Sequence, residues 1–121
     1  MQAKKEPVAR YGESYQGPKT LTVELAWLAS GEAVLIKAYG VNHPWDGRVL
    51  RASLHEGNDR LNEFYAEVEG KECLLMREGP SHGARLYLPG LGELSLSFDR
   101  EASLQLKPEH LMTDYVQQAN R

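Results

Sequence analysis

One cysteine, Cys73, is the whole thiol content of this sequence. A lone thiol cannot close an internal disulfide, so a small disulfide-stapled scaffold is excluded and a reducing, cytoplasmic setting is expected. Long apolar runs are missing as well: no stretch approaches the ~20 residues that span a bilayer as a helix. The start, Met1-Gln2-Ala3-Lys4-Lys5-Glu6-Pro7, has lysines with no apolar segment behind them and does not read as a signal peptide. Nor is there a large charge of one sign. Lys and Arg number 14 against 17 Asp and Glu, a net of −3 with pI near 5.8. That balance argues against general affinity for nucleic acid or an anionic membrane, so neither is expected as a partner. No glycine loop shaped for phosphate and no closely spaced ligand set for zinc occurs, so no cofactor and no metal is expected.

What the sequence does contain is alternation with a period of two. Leu21, Val23, Leu25 and Trp27 alternate with Thr20, Thr22, Glu24 and Ala26, as on a strand with one wet face. Ser30-Gly31-Glu32 turns the chain into Ala33–Tyr39, an almost continuous apolar run broken by Lys37. Leu50, Ala52 and Leu54 then face in while Arg51, Ser53 and His55 face out, and Gly57-Asn58-Asp59 turns again. Phe64, Ala66 and Val68 oppose Glu63, Tyr65, Glu67 and Glu69, before Gly70 leads into Lys71–Glu78. Three more runs follow: Ala84–Leu88, then Leu94, Leu96 and Phe98, then Ala102, Leu104 and Leu106.

Connections this short make neighbouring strands antiparallel, because a parallel crossover needs a dozen or more residues. The expected fold is all-β: about eight antiparallel strands in a meander, closed as a barrel or split into a two-sheet sandwich. After Pro108 the period changes. Leu111, Met112, Tyr115, Val116 and Ala119 form one stripe, so residues 108–119 are expected as a short C-terminal helix on the sheet. Residues 20–121 then make a single domain, preceded by a partly disordered arm over residues 1–19. That arm carries four bases against two acids, a net of +2. The plan resembles small up-and-down ligand-binding barrels, with no family motif beside it.

Four constellations suggest chemistry. Gly79-Pro80-Ser81-His82-Gly83 matches G-x-S-x-G, yet a strand pattern follows it where a nucleophile elbow requires a helix, so a hairpin connection is the expected role. The histidines His43, His55, His82 and His110 lie far apart in sequence and do not form a metal motif. Residues 56–78 hold seven acids against three bases, a net of −4. Glu63, Tyr65, Glu67 and Glu69 are read there as one outward acidic face, either a solvated edge or a patch for a basic partner. The densest segment is Val41-Asn42-His43-Pro44-Trp45-Asp46-Gly47-Arg48. Its Pro-Trp-Asp-Gly turn chemistry defines the loop, which reads in two ways. Either Trp45 plugs one end of the β-core with Arg48 pairing to Asp46, or Tyr39, His43, Trp45, Asp46 and Arg48 are a binding rim, Trp, Tyr and Arg being the usual hot-spot residues.

The sequence therefore reads as a small non-catalytic binding module for a protein partner, in an inhibitor, immunity-type or adaptor role. The alternative is a β-barrel holding a small apolar ligand with His43 and Trp45 at its mouth. A small enzyme using His43, Asp46 and Arg48 for acid, base and anion-holding work comes third.

Overall fold

Alternating segments joined by tight turns fold here into an eight-strand meander. The computed structural model describes residues 4–56, 61–79 and 83–120. The strands are β1 (Val8–Gln16), β2 (Thr22–Leu28), β3 (Ala33–Tyr39), β4 (Val49–Glu56), β5 (Asn62–Val68), β6 (Lys71–Glu78), β7 (Gly83–Leu88) and β8 (Gly92–Phe98). Each pairs antiparallel with the next, and β8 returns to β1 through Tyr15↔Phe98 and Gln16↔Ser97. The sheet is thus a closed barrel, and the sandwich alternative drops out. Two helices follow, α1 (Arg100–Gln105) and α2 (Pro108–Ala119). None of the described helices is long and apolar enough to cross a membrane.

The barrel is filled by side chains, chiefly Leu25, Ile36, Phe64, Met76 and Leu86 from facing strands. A second apolar cluster lies outside it, where α2 sets Leu111 and Met112 against Ala26, Leu28, Leu35 and Val49. This explains the unbroken apolar run of β3. Val34, Ile36 and Ala38 face the interior, while Ala33 and Leu35 face α2, so both sides of the strand are covered. It also corrects the wet outer face expected for β2, whose Ala26 and Leu28 lie under the helix. The Lys37–Asp114 ion pair, 3.3 Å, ties α2 to the barrel. The helical stripe ends at Val116, and Ala119 is exposed.

Two expectations fail for related reasons. Residues 8–16 are the first barrel strand, not part of a disordered arm. Gly12 and Ser14 occupy its outer face because α1 and the chain after it approach closely. A Cβ on Gly12 would lie 2.5 Å from Leu106 Cδ2 and 2.9 Å from Leu25 O. In turn Ala102, Leu104 and Leu106 are not a strand. Asp99 caps α1, its Oδ1 accepting from Ala102 N at 3.1 Å. Ser103 Oγ accepts from Ser14 N at 2.7 Å and donates to Asp99 O at 2.7 Å, fixing α1 against β1 beyond the point where β8 ends. Leu104 is left 68% exposed. The eight-strand count holds with one strand exchanged for another.

The β5–β6 hairpin splays from both neighbours at its tip. Pairing of β4 with β5 ends at Ala52↔Ala66, and pairing of β6 with β7 ends at Met76↔Leu86. The first seam is closed by α2: Gln118 Nε2 donates to Val49 O and Gln118 Oε1 accepts from Val49 N, both at 2.8 Å. One side-chain amide there replaces a strand partner. The second seam has no such cover among the described residues.

Candidate functional site

Polar side chains collect inside the barrel at one mouth, away from the Trp45 loop. Strand alternation turns Glu13 and Tyr15 of β1, Trp27 of β2, Asn62 of β5 and Glu78 of β6 inward. A cavity of about 430 Å³ opens there, lined by Glu13, Tyr15, Asn62, Glu78 and Phe98 among others. Glu78 is held on both carboxylate oxygens: Tyr15 OH donates to Oε2 at 2.9 Å and Asn62 Nδ2 donates to Oε1 at 2.8 Å. The Trp27 indole N–H donates to Glu13 Oε2 at 3.2 Å, and Trp27 stacks edge-on against Phe64 at 5.5 Å.

The two carboxyl groups are not equivalent. Burial, and then repulsion from Glu78, push Glu13 up from 4.5 to about 7. Burial and the charges of Glu78 and Glu13 also raise the Tyr15 phenol, which stays a donor. The pair therefore offers one carboxyl group fixed by two donors beside another, Glu13, able to hold or release a proton near neutrality. Acid–base machinery and cation recognition both use such asymmetry. Burying facing carboxyls has no evident stabilising role, since apolar residues of similar size would commonly be as stable or more so. Perturbed titratable groups in a cleft mark it as a candidate functional site.

The residues expected as one rim are dispersed. Trp45 is half-buried against the core. His43 locks the loop: its Nδ1 accepts from Trp45 N at 3.1 Å, which leaves the ring proton on Nε2 to meet Pro89 O at 2.8 Å. Asp46 Oδ1 accepts from Val41 N at 3.0 Å inside the same loop. Tyr39 lies on the outer face beside Lys37, whose Nζ is 5.9 Å from the ring centroid. Arg48 is exposed on the groove between β4 and β5, and among the described residues no ion pair joins it to Asp46. Loop construction engages His43, Trp45 and Asp46, and of the five Tyr39, Asp46 and Arg48 are exposed.

The acidic face is likewise divided. Glu63 pairs with Arg77 at 3.4 Å and accepts from Tyr65 OH at 3.3 Å. Glu67 sits directly across from Glu72 on β6. Glu69 is off the strand face altogether, in the hairpin turn with φ of 52°. Pro80, Ser81 and His82 lie outside the described residues, as does the Gly57-Asn58-Asp59 turn. The flanking glycines are described, and Gly79 N donates to Gly83 O at 2.8 Å, leading β6 into β7 rather than into a helix. Among the described residues no group of three or more His, Cys, Asp or Glu is placed to hold a metal.

Sequence reasoning missed Glu13, Tyr15, Asn62 and Glu78. One signal was present: Tyr11, Glu13 and Tyr15 recur with period two, a strand pattern with a carboxylate at an inward position. Fold and mouth together define a closed antiparallel barrel with a polar, ligand-sized opening. No protein-family model, curated protein or solved structure matches this chain.

Proposed function

We propose that this barrel binds a small organic ligand at the mouth lined by Glu13, Tyr15, Asn62 and Glu78. The ligand carries a cationic or strongly hydrogen-bond-donating head on an apolar body. The carrying observation is the asymmetric carboxyl pair inside a cavity of about 430 Å³, within the ~300–1,000 Å³ usual for such sites. Phe98 and Leu61 in the lining supply the apolar wall. A small-ligand role agrees with the alternative drawn from the sequence but moves the site to the mouth opposite His43 and Trp45. The protein-partner reading had rested on the loop carrying those two residues, whose groups are engaged in holding it. The cytosolic setting suggested by the single thiol is part of this proposal.

The test is a thermal-shift and ligand-observed NMR screen of matched small amines, guanidines, alcohols and carboxylates. Cationic members should bind and carboxylates should not. Glu78→Gln should weaken the best binder by about 2 kcal/mol, the scale of a hydrogen bond to a charged group. Hits that ignore Glu78→Gln and Glu13→Gln alike would place the site elsewhere.

A further inference from the structure

The seam between β6 and β7 is a different site, built from backbone. Glu69 and Gly70, with φ of 52° and 79°, form the two-residue turn of the β5–β6 hairpin. In such a hairpin the residues flanking the turn, Val68 and Lys71, are the hydrogen-bonded pair, and bonding alternates from there. Ala66↔Cys73 is then bonded to β5, while Glu72 and Leu74 direct their N–H and C=O groups away from it. They point into the seam, where β6 has no β7 partner before Met76. The equivalent opening between β4 and β5 is closed by Gln118, whereas among the described residues nothing bonds this edge in the same way.

Side chains around the seam sort by face. On the inner face a cavity of about 370 Å³ is bounded by Trp45, Ala66, Val68, Leu75 and Leu88. On the outer face Glu72 stands opposite Glu67, and like charges facing across strands are destabilising. Glu67, Glu69 and Glu72 outnumber Lys71 at this tip by three to one, while Arg85 is engaged with Glu93. His55 Nε2 lies 3.0 Å from Glu72 Oε1, and among the described residues no ion pair reaches Glu67 or Glu69.

We propose that β6 captures an extended peptide strand of a partner protein along Lys71–Leu75, one that alternates apolar and basic side chains. Backbone pairing with Glu72 and Leu74 supplies the contact, as in other cases of strand addition. Apolar side chains enter the inner cavity, and basic ones lie beside Glu72 and Glu67. Charge disfavours a second copy of this chain, because antiparallel pairing of β6 with itself about Cys73 would set the two Glu72 side chains diagonally across the new seam. This site is independent of the polar mouth.

The experiment uses the full chain, labelled with nitrogen-15, titrated with a capped synthetic peptide of alternating valine and lysine. Amide shifts and slowed hydrogen exchange should centre on Glu72 and Leu74. A valine–glutamate peptide should bind at least about tenfold more weakly, and Glu72→Lys should narrow or reverse that preference. Leu74→Pro removes an N–H that faces the seam, a tolerated place for proline at an edge, and should abolish binding in a folded barrel. Should that variant not fold, N-methylation of alternate amides along one edge of the peptide makes the same test from the other side and should also abolish binding. The proposal is overturned if the valine–lysine peptide causes no shifts. Shifts confined to the polar mouth or to the Gln118 groove, equal affinity for the acidic peptide, undiminished binding of the N-methylated one, or self-association through β6 would overturn it equally.

Discussion

Glu13→Gln isolates the cost of the carboxyl pair. In the folded barrel Glu13 titrates near 7 rather than at 4.5, so between those values the folded state holds a proton that the unfolded chain has released. The associated stability is fully present below about 4.5 and is lost as pH rises through about 7. Taken whole, the shift corresponds to about 3 kcal/mol. Glu13 is only partly buried and solvent screens the repulsion, so about 1.5 kcal/mol is the expected loss. Glutamine keeps an oxygen to accept the Trp27 indole N–H and turns its amide toward Glu78, removing the charge without emptying the site. Urea denaturation of parent and variant at pH 5 and pH 8 reads the difference. Glu13→Gln should be more stable by ~1–2 kcal/mol at pH 8 and within ~0.5 kcal/mol of the parent at pH 5. The parent's Trp27 emission should titrate with a midpoint near 7, and the variant's should not. A stability difference that is the same at both pH values would refute the reasoning, because packing or hydrogen bonding would then be its source.

Three further outcomes follow from the same geometry. Trp45→Ala should cost ~2–4 kcal/mol in denaturant melts, the low side of the range for large aromatics because the ring is half-buried; a loss below about 0.5 kcal/mol would return Trp45 to the role of an exposed anchor. Gln118→Ala should cost ~1–3 kcal/mol by stranding both backbone groups of Val49, and hydrogen exchange at Val49 should accelerate before global unfolding. Cys73 is exposed, so an aromatic disulfide reagent should label it in the native state without unfolding the barrel, and the bulky adduct should block the seam to the valine–lysine peptide. Burial-limited labelling that tracks global unfolding would contradict that exposure.

Most of the barrel was legible because its strands obey one rule. From Thr22 to Phe98 the inward positions are mainly apolar and the turns carry glycine, so period and spacing locate seven of the eight strands. Helix α2 was legible too, from Pro108 at its first turn and the Leu111–Met112–Tyr115–Val116 stripe. The exchanged pair, β1 and α1, fails where tertiary contact overrides pattern. Gly12 is small because Leu106 passes close by, and Ser14 is buried where Ser103 bonds its backbone, so neither gives the outer face of β1 a readable character. Leu104 supplied a false alternation from an exposed position on a capped helix. At the Trp45 loop the residue types were read as recognition groups, and nothing in a linear sequence shows that His43 would be spent on Pro89, a residue 46 positions away.

The same physics hid the candidate site. An inward position identified by apolar character is invisible when it holds Glu13, Asn62 or Glu78, and those three are the inward residues the barrel does not need for its core. Their partners come from β1, β2, β5 and β6, so no local window contains the constellation. Closure of the sheet assembles it: β1 must return to β8 for Tyr15 to stand beside Phe98 and reach Glu78 across the mouth. The strand that completes the barrel is also the one that brings in the perturbed carboxyl. A barrel built for stability alone would place an apolar residue at position 13 and gain from it. Retaining a carboxyl there, against Glu78 and under a tryptophan that bonds it, is the pattern expected when a site rather than a core sets the residue.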